Sequence, residues 1–474
     1  MSGSNLDNLP NEVIHRILVF VSRGECQQDR KIDMKNIRLA SRKLSIVACA
    51  FLVSSTTVCL NSNSLSRFQQ LCDHPLFSQC IRSVEINAAY YDVRLSQDRD
   101  LYRDHCGSAL ARILTLAELN AGPKQRQSGA LCRESDVCNR FPRHLGEFGI
   151  EDLSADSADA FESLLSVLHN EYKMRTSDQE CIRKNNRHLD RLCNAFARLS
   201  SLKSIHLTNG IDGGVQPETI PTQTTDLWDS GAFACALAPS GWNGSLAIAY
   251  ITQPPIEMLG ELLSSLGDSG ARPSSFTLSF SVPANLTCLK VSERQAEGIC
   301  KLVSKTDSMD VTFHSWPRGS STACNHSRSY SELQALGSVT TALTSAPSLR
   351  CLRVSLAGYV WWQQLPHVVL KEFIPVGSWP NLKQLELGYL PCELSELEKL
   401  VITLHNHLES FYGRGLYLRS GDWDDAANVL RDSNKLNIFK LDRLRGGSHG
   451  SRKAGCDNQE TVLPSYMARR DPET

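Results

Sequence analysis

Few residue groups in this sequence have the types and spacing to make a reactive centre. Gly446-Gly447-Ser448-His449-Gly450 has the spacing of a nucleophile elbow, in which a strained strand-to-helix turn lifts a serine hydroxyl clear of the chain. The following SRKAGCDNQE has no apolar helical face, and no histidine beyond His449 could act as base in the order Ser, Asp, His. A serine hydrolase using Ser448 is therefore kept only as an alternative. Cys324 and His326 lie two apart, and Cys181, His188 and Cys193 share one helical stretch. Neither group supplies four ligands at finger-like spacing, so no metal is expected. There is no G-x-x-x-x-G-K-[ST] run and no G-x-G-x-x-G opening a helix, so no nucleotide or other cofactor is expected. Asn243, Asn285 and Asn325 open N-x-[ST] triplets that read as chance matches. Tyr359 with Trp361-Trp362 is either core or an exposed aromatic anchor.

With so little chemistry, the elements themselves must carry the function. The 474 residues hold 50 Lys+Arg against 51 Asp+Glu, without the basic excess that binding a phosphate backbone demands. Nucleic acid is not an expected partner. A 41% hydrophobic content and 21% charged content suit a folded chain of several units. The start, Met1 to Pro10, lacks a basic n-region and an apolar h-region, so no secretory signal is expected, and a cytoplasmic or nuclear, reducing setting follows. Seventeen cysteines without a C-x-x-C pair read as buried thiols rather than a disulfide framework. The uncharged stretch Leu44 to Leu60 is Ser/Thr rich in its second half and short of a membrane span. It reads as a buried helix followed by a strand, and no membrane partner is expected.

Leu9-Pro10 opens a helical pattern in which Val13, Ile17 and Val21 form one stripe beside Ile14 and Leu18. Pro10 suits a first turn, and Glu12 complements the positive end of the helix. After a polar gap, Ser22 to Arg30, the residues Ile37, Ala40, Leu44, Val47 and Phe51 space a second amphipathic segment, broken at most once. So small a module buries too little of its surface to cover all these aliphatics alone.

Beyond residue 60 come short L-x-x-L-x-L runs: Ile81-Val84-Ile86, Leu202-Ile205-Leu207, Leu286-Leu289-Val291, Leu349-Leu352-Val354, Leu382-Leu385-Leu387, Leu408-Phe411 and Leu436-Leu441. The last four start at 349, 382, 408 and 436, intervals of 33, 26 and 28 residues, which bracket a strand-plus-helix repeat. Leu394, Leu397, Leu400, Val401 and Leu404 mark a return helix, and Asp159 to Phe196 reads as a helical segment whose acidic start and basic second half are solvated helix faces. Polar stretches near 121–149, 210–225 and 317–331 read as insertions, and 446–474 as a disordered tail.

The N-terminal residues resemble an F-box: Leu9-Pro10, then Glu12-Val13-Ile14 and Ile17-Leu18, then Ile37-Arg38-Leu39-Ala40-Ser41-Arg42-Lys43-Leu44. The likeness covers roughly residues 6–51, and the gap from Val21 to Met34 is longer and more charged than in many F-boxes. It implies a module that binds a Skp-type adaptor and, through it, a cullin scaffold, so that whatever the body holds is ubiquitinated. On that likeness Leu9, Pro10, Val13, Ile14, Ile17, Leu18, Leu39, Arg42 and Leu44 would contact the adaptor. The body resembles, more loosely, degenerate leucine-rich repeats, although the turn asparagine is missing after Val354 and Leu387.

The expected fold is α+β: an all-α F-box-like module over 1–55, then an irregular α/β leucine-rich-repeat-like solenoid over 56–445. If its strands stack in parallel, His206, Lys290, Arg353, Glu386 and Lys440 lie between inward apolar positions and would face a protein substrate. The expected function is a substrate adaptor in a cullin-RING ubiquitin ligase that performs no chemistry itself. A repeat scaffold acting outside ubiquitination is the alternative.

Overall fold

Alternation of apolar and small polar residues builds a sheet that runs through most of the chain. The computed structural model describes residues 9–21, 27–106, 157–184, 186–209, 257–281, 286–314, 329–357, 370–374, 379–431, 433, 435–447 and 466–469. The chain is mixed α/β. Strands β1 Ser55–Cys59, β2 Ser83–Asn87, β3 Ser204–Thr208, β4 Ser275–Ser281, β5 Ser308–His314, β6 Cys351–Ala357, β7 Gln384–Gly388, β9 Ser410–Arg414 and β11 Ile438–Asp442 follow one another in sequence order across one parallel sheet. Each pairs with its neighbour in chain order. Period-two geometry sends alternate side chains to opposite faces. On one face Val84, Ile205, Phe276, Met309, Leu352, Leu385 and Phe411 form a buried row, beside a second of Ile86, Leu207, Leu278, Val311, Val354 and Leu387. Each such side chain contributes about 1.5–3 kcal/mol on full burial.

Helices between the strands pack into the same core, among them Ser62–Asp73, Arg187–Phe196, Glu257–Asp268, Glu293–Val303, Tyr330–Thr344, Leu394–Leu404 and Trp423–Arg431. Leu65, Leu192, Leu263, Ile299, Leu336, Leu400 and Leu430 are their buried contacts. The first helix-strand corner is tied from a distance: Asp178 accepts hydrogen bonds from the Ser62 amide (2.9 Å) and hydroxyl (2.5 Å).

Turn chemistry repeats toward the C-terminal end. Tyr389, Gly415 and Arg443 all adopt the left-handed conformation, at φ 55°, 62° and 53°. Each precedes a buried leucine, Leu390, Leu416 and Leu444. Short strands β8 Pro391–Cys392, β10 Tyr417–Leu418 and β12 Arg445–Gly446 then form a second parallel sheet. The turn after Leu387, which lacks an asparagine, is satisfied by backbone: the Tyr389 amide donates to the Arg414 carbonyl, and in the next turn the Gly415 amide donates to the Asp442 carbonyl, both at 2.7 Å; the turn after Val354 lies outside the described residues. The three left-handed residues fall 26 and 28 residues apart, matching the leucine starts at 382, 408 and 436.

The N-terminal elements are helices α1 Asn11–Val21, α2 Gln27–Ala40 and α3 Arg42–Leu52. The expected single break falls at Ser41, whose hydroxyl accepts from the Leu44 amide at 3.1 Å and caps α3. Because α2 starts at Gln27, the polar gap is shorter than the sequence suggested; its charged residues Asp29, Arg30 and Lys31 are helical. Ile14, Leu18, Met34, Leu44 and Ala48 make a core of their own, separate from the body's.

Three expectations change. Leu286–Leu289 is a 3-10 turn rather than a strand, so Lys290 is not a strand residue. The strands of that region are β4 and β5, whose inward residues include Phe276, Phe280, Met309 and Phe313 rather than a leucine triplet. Within the expected tail, β13 Tyr466–Arg469 pairs antiparallel with β11. Ser329 caps the helix Tyr330–Thr344, so the third insertion gives way to helix at its end. The insertions near 121–149 and 210–225, residues 317–328, Ser448, Cys324, His326 and Trp361-Trp362 lie outside the described residues.

Candidate functional site

Two exposed faces stand out, one on the helical module and one on the sheet. On α1 the inward positions are Ile14 and Leu18, each 2% exposed against Met34, Leu44 and Ala48. Val13 (40%), Ile17 (39%) and Phe20 (80%) point outward. With Pro10, also exposed, they fall three and four residues apart, which is one stripe of a helix. Leu39, 78% exposed, and Arg42, exposed, sit where α2 meets α3. The Lys43 ammonium beside them donates to the Leu9 carbonyl at 2.6 Å, bringing the Leu9-Pro10 edge to that corner. Of the residues expected to contact an adaptor, Pro10, Val13, Ile17, Leu39 and Arg42 are thus outward and Leu9 is half-buried. Ile14, Leu18 and Leu44 lie inside and hold the surface up from behind. Periodicity alone could not tell which of two adjacent aliphatic stripes faces in. Phe20 and Ile46, the latter 47% exposed, were not singled out from the sequence, although both extend its helical patterns.

On the sheet, residues between the buried positions line up from strand to strand. Thr57, Glu85, His206, Thr277, Asp310, Arg353, Glu386, Tyr412 and Lys440 are successive register partners and form one row, every member partly or fully exposed. His206, Arg353, Glu386 and Lys440, expected to face a substrate, are four of its members, and Lys290 is not on it. The row is flanked two residues away on one side by Ser83, Ser204, Ser275 and Ser308, and on the other by Thr208, Ser279, Thr312 and Ser355. Arg353 is its electrostatic centre. One guanidinium nitrogen lies 3.3 Å from Asp310 and the other 2.7 Å from Glu386, while Thr312 donates its hydroxyl to the second oxygen of Asp310 at 3.0 Å. Glu85, Thr277, Asp310 and Tyr412 were missed in the sequence. The available signal was the residue between two buried positions, as in Val84-Glu85-Ile86 and Met309-Asp310-Val311.

Reactive chemistry finds little footing among the described residues. No group of three or more His, Cys, Asp or Glu there could hold a metal ion. Burial pushes the Cys72 and Cys106 thiols up to about 12 and Cys193 to about 11, which keeps them protonated and weakly nucleophilic at neutral pH. Ser279 and His314 are in contact at 3.0 Å between hydroxyl and Nε2, on the outer side of adjacent strands. No described helix is long and apolar enough to cross a membrane. No family model matches the chain, and no curated protein matches it significantly in sequence.

Proposed function

We propose that the chain is a substrate-recognition subunit of a cullin-RING ubiquitin ligase, with an F-box-like module at residues 9–52 that binds a Skp-type adaptor. A leucine-rich-repeat-like solenoid presents the outer face of its sheet to a protein substrate, and the chain performs no chemistry of its own. The observation that carries this reading is the exposed stripe Val13, Ile17 and Phe20 on a helix whose inner stripe already fills the module's core. Large apolar side chains exposed in a row are characteristic of a surface made to be covered. Their helix opens on the Leu9-Pro10 edge, and Leu39 and Arg42 border that edge. The solenoid reading is supported by strand order equal to chain order and by the spacing of Tyr389, Gly415 and Arg443.

Because Val13 and Ile17 lie outside the module's buried core, Val13→Asp/Ile17→Asp is expected to leave Ile14, Leu18, Met34, Leu44 and Ala48 packed. The full chain, co-expressed with a Skp-type adaptor, is expected to lose co-precipitation in this variant while its far-UV spectrum is unchanged. Leu9→Ala/Pro10→Ala should weaken the same contact. Two or three such anchors are worth about 2 kcal/mol or more each at an interface. Adaptor binding undiminished in the aspartate variant would overturn the assignment and favour a repeat scaffold acting outside ubiquitination.

A further inference from the structure

The outer face of the sheet has a definite chemistry over β2 to β7. Its central row carries three carboxylates, Glu85, Asp310 and Glu386, against the single guanidinium of Arg353. Serine and threonine hydroxyls line both sides, and the three rows contain no large apolar side chain between β2 and β7. We propose that this strip receives an extended, lysine- or arginine-bearing segment of a partner protein laid across the strands. The proposal rests on the reading of this face as the substrate surface and names the class of substrate.

Dimension and charge both favour that occupant. Five strand steps of about 4.8 Å separate Glu85 from Glu386, roughly 24 Å, the length of about seven extended residues. Asp310 lies three steps from Glu85 and two from Glu386, about 14 and 10 Å, so cations on one face of an extended segment, four and then two residues apart with a long side chain spanning the remainder, meet successive carboxylates. Hydroxyls both donate and accept, so they suit a peptide backbone in passing. A phosphate backbone laid along the central row would meet its net negative charge, and an apolar helix would find nothing to bury. Farther on, Arg414 and Lys440 lie on β9 and β11. With Asp442 the register partner of Arg414, the carboxylate excess ends here, and with it the run that a partner's cations follow.

Arg353 gives the proposal a test with two signs. Held between Asp310 and Glu386, it occupies the carboxylates that the partner's cations would use, so its removal should strengthen binding where removal of a carboxylate weakens it. The full chain is titrated, by fluorescence anisotropy, into a labelled serine peptide of about nine residues bearing three lysines, and into its glutamate counterpart. Asp310→Asn/Glu386→Gln should weaken lysine-peptide binding about tenfold or more, and Arg353→Gln should tighten it. Glu261→Gln/Glu297→Gln, an equal charge change on exposed helix positions, should leave it unchanged. Tighter binding by Arg353→Gln with an unchanged far-UV spectrum is not a loss of fold, so the Arg353 arm stands even if the other variant loses stability.

Absence of lysine-peptide binding, equal weakening in both charge variants, or loss of binding in Arg353→Gln would each overturn the proposal. Preference for the glutamate peptide would also do so, and would assign Arg353 to an acidic partner instead. Adaptor co-precipitation, measured on the same proteins, reports separately on the functional reading.

Discussion

His169 and His188 are held as neutral imidazoles inside the protein. Burial lowers the pKa of both. His169 Nε2 lies 2.9 Å from the Leu95 carbonyl, and His188 has Nδ1 3.4 Å from the Ile182 carbonyl and no partner for Nε2. The unfolded chain takes up protons on these rings near pH 6.5 and the folded chain only at lower pH. Stability is therefore lost as pH falls through about 6.5 toward the depressed values. The melting temperature should drop between pH 7.5 and 5.5, and less steeply in His169→Gln/His188→Gln. Equal slopes would show that other groups control the acid side. Single residues were legible in the sequence to an uneven degree. Arg353 and Glu386 were identifiable because each lies between leucine or valine neighbours that had to be buried. Asp310 escaped because Met309 and Val311 do not announce a strand as leucines do. Ile14 and Ile17 looked equivalent, and only packing against Met34 and Ala48 distinguishes inner from outer.

Helices Glu257–Asp268 and Glu293–Val303 illustrate how the layer behind the sheet is fitted. A Cβ on Gly267 would stand 1.9 Å from the Gly298 carbonyl oxygen, and one on Gly298 would stand 2.2 Å from the Ser264 hydroxyl. The backbones are in closest approach here, and backbone cannot yield as a flexible side chain can. Gly267→Ala should destabilise the chain by about 1–3 kcal/mol through overpacking, seen as a lower denaturant midpoint. A wild-type midpoint would mean that the two helices can slide apart freely. The strands after Leu349, Leu382, Leu408 and Leu436 and the helix Leu394–Leu404 were readable from periodicity, since each alternates or recurs cleanly. Leu286–Leu289 misled because two leucines three apart fit a 3-10 turn as well as a strand entry. The antiparallel strand Tyr466–Arg469 carried no local signal, because its pairing depends on the distant edge of β11.

At the scale of the whole molecule, the N-terminal helices keep a core of five residues apart from the long core behind the sheet. So small a core contributes little independent stability. All seven tryptophans lie beyond residue 227, so their fluorescence reports the body alone, whereas far-UV circular dichroism reports both. In rising urea the helical signal should begin to fall before the tryptophan signal, and adaptor binding should be lost in step with the earlier change. Coincident curves would instead show that both cores unfold as one.

The order of the strands has a further consequence. Since each strand lies beside the next in sequence, a segment spliced into any crossover leaves and re-enters at adjacent ladders and disturbs no pairing elsewhere. The stretches between Cys106 and Ser157 and between Asn209 and Glu257 occupy two such crossovers. Changing the length of either stretch is therefore compatible with every strand register given above.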